Sequence, residues 1–121
     1  MRKKHRSWGE FYIKEILKKY KIKFTQEKKF PDCLSLKNRP LRFDFYLNDY
    51  NILIEFQGIH HFKPVNKKYR AKKVHELTVL HDNIKRNYCR RNNIPLIELD
   101  YKNIKMIEED LKNQVNKILG F

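Results

Sequence analysis

The sequence predicts an α/β domain built on a mixed sheet flanked by helices. Leu41 to Phe62, LRFDFYLNDYNILIEFQGIHHF, holds two short runs in which apolar and polar residues alternate with period 2. Helical periodicity brackets those runs on both sides. A short apolar stretch, Pro95-Leu96-Ile97-Glu98-Leu99, follows the second helix as a buried strand. The order α-β-β-β-α-β-α fits helices packed against a mixed sheet.

Residues 2–6 form a basic arm containing Arg2, Lys3 and Lys4. Ser7 then opens a helix, because Ser7-Trp8-Gly9-Glu10 has capping-box spacing and Phe11, Ile13, Ile16, Leu17 and Tyr20 broadly keep a 3.6 period. Residues 22–30 alternate loosely as a first strand, and residues 31–40 connect it to the next. On the second strand Leu41, Phe43, Phe45 and Leu47 alternate with Arg42, Asp44 and Tyr46. On the third, Ile52, Ile54 and Phe56 alternate with Leu53, Glu55 and Gln57. Asn48-Asp49-Tyr50-Asn51 supplies turn chemistry between them. Residues 63–73 read as a cationic loop. A helix over 75–92 carries Leu77, Leu80, Ile84 and Tyr88 on one stripe and Asp82, Lys85, Arg86 and Cys89 on the next. A last amphipathic helix over 103–119 stops at Gly120.

With 121 residues the chain is expected to be one domain, 1–121. Its 28 Lys and Arg against 14 Asp and Glu leave a net charge of +14, which points to a polyanionic partner. No apolar run approaches the length of a membrane span, and the first residues lack the apolar core of a signal peptide. Cys33 and Cys89 have no metal-site spacing, so they read as reduced thiols of a cytoplasmic, unsecreted protein.

Asp44 and Glu55 fall on the polar parity of adjacent strands, where like charges repel unless a cation lies between them. Gln57 shares Glu55's face, and His61 follows the Gly58 turn. Hard oxygen donors on adjacent strands suit Mg²⁺ or Mn²⁺, with water and substrate phosphate filling the remaining positions. Such an ion polarises a phosphodiester and acidifies an attacking water. A basic surface would hold the nucleic-acid backbone.

Asp44 followed by Glu55-Phe56-Gln57, on three strands between helices, resembles the PD-(D/E)XK nuclease superfamily. The blocks EFQGIHHF and HDNIKRNYC are similar to phage and large-virus endonuclease domains related to very-short-patch repair and EDxHD homing endonucleases. The resemblance runs from the first helix to the last. It implies a restriction-endonuclease-like core and a metal-dependent DNA endonuclease, in the manner of a homing or nicking enzyme, located in the host cytoplasm if phage or viral. It also implies that Asp44, Glu55 and the Phe56 carbonyl hold the metal, and that Asp82 and Glu10 match acidic positions of the family. Gln57 stands where the superfamily has lysine, and a glutamine cannot act as a base. The proton acceptor is therefore expected to be His61, with His60 on the other face. Phosphate contacts are expected from Arg2, Lys3, Lys4, Lys63, Lys67, Lys68, Arg70, Lys72, Lys73, Lys85 and Arg86. In so small a body, reading a sequence in double-stranded DNA calls for a homodimer, a fused partner or a separate recognition module.

Plain structural readings stand beside these. Glu10 is also a capping-box acid, Asp82 and Lys85 an ordinary helix-surface pair, and residues 63–73 a solvated loop. Asp44 and Glu55 could pair with Arg42, Lys85 or Arg86. Two other functions fit the same residues: a nucleic-acid-binding module with a decayed site, and a structure-selective or RNA-directed nuclease.

Overall fold

The computed structural model describes residues 8–59 and 62–120. Helix α1 (Trp8–Lys19) leads into β1 (Phe24–Leu34), β2 (Pro40–Leu47) and β3 (Ile52–Gln57). Helix α2 (Tyr69–Arg91) then crosses to β4 (Leu96–Asp100), and a 3-10 segment (Tyr101–Met106) runs into α3 (Ile107–Leu119). The four strands lie in the order β1-β2-β3-β4. The first two pairings are antiparallel, and β3–β4 is parallel across the α2 crossover. The mixed sheet with flanking helices is thus present.

Two apolar layers sandwich the sheet. Phe45, Leu47, Ile52, Ile54, Phe56, Ile97 and Leu99 pack against Ile13, Ile16 and Leu17 of α1 and Ile107 and Leu111 of α3. Leu41, Phe43, Leu53 and Cys33 pack against Tyr88 and Cys89 of α2. Both cysteines are buried and free, and burial pushes the Cys89 thiol up to about 12, so the pair behaves as small core residues.

An unbroken strand would put Leu41, Phe43, Phe45 and Leu47 on one face, but they divide between the two layers. The changeover falls at Asp44. Across from it, Glu27 is the rung missing between Gln26↔Phe45 and Lys28↔Phe43, and it takes a left-handed φ of 54°. Strand β1 turns over at the same level, since Phe24 joins the α1/α3 layer and Phe30 the α2 layer. Arg42 and Glu27 form an ion pair across the twist.

Three element boundaries differ from expectation. Strand β1 runs through Pro31 to Leu34 because it is an edge strand, where a missing N–H costs no ladder bond. Residues 69–73, expected as loop, form the first turns of α2. Their only buried residue is Ala71, so no apolar stripe announces the helix, and their cations oppose the helix dipole. Helix α3 starts at Ile107 rather than 103 because Asn103 is non-helical and the Asp100 side chain accepts from the Lys102 N–H at 2.8 Å, fixing a 3-10 turn. Gly120 ends α3 at φ 82°, as expected.

Gly9 sets the approach of α1 to the sheet. A Cβ there would lie 2.1 Å from the Phe56 ring. In an open helix Gly→Ala stabilises by about 1 kcal/mol. Here Gly9→Ala is expected instead to destabilise by about 1–3 kcal/mol through overpacking. Urea denaturation reads the sign, and a raised midpoint would show that the helix has room to spare.

Candidate active site

The β2–β3 ladder keeps its backbone pairs from Leu47↔Ile52 to Phe45↔Ile54. At the next rung, side chains take over. The Asp44 N–H donates to Glu55 Oε2 at 2.8 Å, and the Phe56 N–H donates to Asp44 Oδ2 at 2.7 Å. Each carboxylate thus satisfies the other strand's orphaned donor, which lets the strands part without leaving buried N–H groups unpaired. In strand geometry a residue's C=O leaves on the same side as its N–H. The Phe56 carbonyl therefore leaves β3 on the side of Asp44.

Lys85 enters from α2. Its ammonium lies 2.5 Å from Glu55 Oε1, with only 13% of the side chain exposed, and 5.4 Å from the centre of the Phe43 ring. Expected as a surface phosphate contact, it is instead turned inward onto a carboxylate that is itself buried. Burial pushes the Asp44 carboxyl up to about 8; the charges of Glu55 and then Glu10 add to the rise, and Lys85 opposes it. The centre carries more negative charge than one ammonium balances.

Glu10 sits in the first turn of α1, beside Gly9 and its contact with Phe56. The Ser7 cap expected for it lies outside the described residues, as do His60, His61, Arg2, Lys3 and Lys4. Gln57 is buried on β3, in register with Asp100 of β4. Asp82 is buried on α2 one turn before Lys85, and its charge acts on Arg86 and His81. The plain reading of a helix-surface pair does not describe them, since Asp82 is buried and the Lys85 ammonium turns inward to Glu55. Arg86 is tied to Glu98 at 2.6 Å. Lys63, Lys67, Lys68, Arg70, Lys72 and Lys73 are all exposed, and Lys73 pairs loosely with Glu76 at 3.4 Å. The structure therefore gathers Asp44, Glu55, Glu10 and Lys85, with Gln57 alongside, and leaves the cations of 63–73 on the surface.

The donor chemistry fits a hard divalent cation. Carboxylate oxygens of Asp44 and Glu55 meet across the two strands with the Phe56 carbonyl on the same side of β3, and each engaged carboxylate oxygen keeps a second lone pair. A cation there would offset the acid charges that, together with burial, raise the Asp44 pKa. Among the described residues no group of three or more His, Cys, Asp or Glu could hold a metal ion. No helix among them is long and apolar enough to cross a membrane. Comparison with protein-family models, with curated proteins and with solved structures gave no match.

Two outcomes follow from the charges. Removing Lys85 as Lys85→Met strands a buried carboxylate and is expected to cost about 3–5 kcal/mol. The double change with Glu55→Gln should recover most of the loss in a double-mutant cycle; strict additivity would mean the pair is uncoupled. For Asp44, the usual value of 3.8 rises to about 8 on folding, so between those values the folded state holds a proton that the unfolded chain releases. Stability without divalent cations should fall as pH rises through that window, by a few kcal/mol from this group. Asp44→Asn should lose that share of the slope, and an Asn variant with the wild-type slope would remove Asp44 as its source.

Proposed function

We propose that the chain is a metal-dependent DNA endonuclease with a restriction-endonuclease-like core of the PD-(D/E)XK kind. The observation that carries this reading is the reciprocal Asp44–Glu55 exchange at the mouth of the parting strands, with the Lys85 ammonium 2.5 Å from Glu55. A sheet needing only closure would continue its backbone ladder there. Buried acid in excess of its counter-charge is the signature of a tuned site.

In this reading Asp44, Glu55 and the Phe56 carbonyl hold Mg²⁺ or Mn²⁺. When bound, the ion supplies Lewis acidity toward a phosphate oxygen and lowers the pKa of water. Lys85 fills the role left vacant by Gln57, because its ammonium reaches the same carboxylate from α2. It orients Glu55 and faces the charge that builds on the scissile phosphate. Gln57 positions water or ligand through its amide. His61, carried by the family resemblance, accepts the proton of the attacking water, with Asp82 as its orienting acid. Glu10 adds negative charge that favours a bound cation over a proton at Asp44. Exposed Lys63, Lys67, Lys68, Arg70, Lys72 and Lys73, with the arm at 2–6, grip the backbone of double-stranded DNA without reading it. Sequence choice then comes from a second copy or a separate module, as in homing or nicking enzymes.

The test is conversion of supercoiled plasmid to nicked or linear forms with Mg²⁺ or Mn²⁺. Wild type should cut, Asp44→Asn should not, and His61→Ala should slow cutting by about 10²–10⁴-fold. Binding measured across salt should weaken log-linearly as counterions are released. If wild type never exceeds the Asp44→Asn background while still binding DNA, the chain is a nucleic-acid-binding module. Gln57 in the lysine position is the feature that favours that second reading.

A further inference from the structure

One feature that the endonuclease reading does not use lies on the outer face of α1. Trp8, Phe11 and Tyr12 are 73%, 49% and 46% exposed. Their ring centroids stand 6.3 Å (Trp8–Phe11), 6.5 Å (Trp8–Tyr12) and 6.2 Å (Phe11–Tyr12) apart, so the rings form one patch rather than scattered surface residues. A contiguous apolar patch on a small domain marks an interaction surface. The opposite face of the same helix is buried through Gly9, Ile13, Ile16 and Leu17. Between the two faces, Glu10 acts on Asp44 and Gly9 backs onto Phe56. The aromatic patch is therefore within one helical turn of Glu10, whose charge acts on Asp44.

Exposed rings suit an apolar protein, a second copy of this chain, or nucleobases, and charge separates these. The chain carries +14, and a run of Arg, Lys and His at 2–6 ends two positions before Trp8 in sequence. Tyr12 lines a groove together with Lys105 and Glu108. The last turn of α1 presents Lys18 and Lys19, with side chains 56% and 61% exposed, each pairing with an acid, Glu15 at 3.8 Å and Glu108 at 3.0 Å. A second copy would bring the same positive charge against this one. A nucleic-acid strand brings anionic phosphates and flat π-faces in alternation, which matches exposed rings on a chain with a net charge of +14.

We propose that Trp8, Phe11 and Tyr12 form a stacking platform for unpaired bases of a DNA strand that passes the acid centre. The proposal rests on the endonuclease reading and sharpens its substrate class to DNA with unpaired bases beside the scissile phosphate.

Trp8 is the only tryptophan in the chain, so its emission reports on this platform alone. The full chain in EDTA is titrated with oligo-dT, a fully paired duplex, and the same duplex with a short single-stranded gap. Each DNA carries a label, so that anisotropy records binding separately. Trp8 emission should be quenched by oligo-dT and the gapped duplex, and far less by the paired duplex. Phe11→Ala should weaken oligo-dT binding roughly tenfold without changing the salt slope, since no phosphate contact is lost. Phe11→Leu, which keeps apolar bulk without a π-face, should weaken it nearly as much. DNA bound with unquenched emission overturns the platform and leaves the endonuclease reading intact. Wild-type affinity in Phe11→Leu, quenching by RNA oligonucleotides alone, or emission that varies with protein concentration in the absence of DNA overturns it as well. Failure to bind any of the DNAs overturns the platform together with the phosphate-contact basis of the endonuclease. Cutting by wild type but not by Asp44→Asn tests the endonuclease reading on its own.

Discussion

Where β2 leaves β3, two backbone N–H groups lose their ladder partners, and the geometry of the site depends on how they are satisfied. Asp44 and Glu55 accept them crosswise, so the carboxylates are fixed by the strands' own hydrogen-bond demand rather than by loop packing. That exchange places two acids close together in a partly dry setting. A pair of like charges so placed is stable only with a proton, an ammonium or a metal between them. Lys85 provides one such charge, and the raised Asp44 pKa marks the demand for another. On the endonuclease reading, a proton and a divalent cation compete for this position, and the local surplus of acid tilts the balance between them.

The three helices have different relations to that rung. Helix α1 reaches it through Gly9 and Glu10, and α2 through Lys85, from the opposite face of the sheet. Helix α3 reaches only the apolar layer, where Ile107 and Leu111 support the strands from behind. Two of the three charges acting on Asp44 thus come from helices that are far apart in sequence and pack on opposite faces of the sheet.

Much of the architecture is legible in the residues. Alternation at Ile52–Gln57, the polar turn at 48–51 and Gly120 each encode one local preference, and each is realised. Where reading falters, a tertiary circumstance outweighs the local signal. Pro31 sits inside β1 because that strand is at an edge, and Tyr69–Lys73 is helical although its solvated surface carries no stripe. The acid pair is visible from parity alone. Lys85 is visible only as a helix cation; its inward turn follows from burial of Glu55, which strand patterning does not reveal. The turnover at Glu27 and Asp44 leaves no mark on a pattern that alternates cleanly through it.

That turnover makes β2 a strand with two allegiances. Phe43 and Phe45 are near neighbours in sequence, yet one answers to α2 and the other to α1 and α3. Asp44, lying between them, is the hinge pin of two separately packed halves. A shape change in either layer shifts one flank of the aspartate and not the other. The candidate site therefore inherits the tolerances of both cores at once, and its alignment is only as good as the looser of the two.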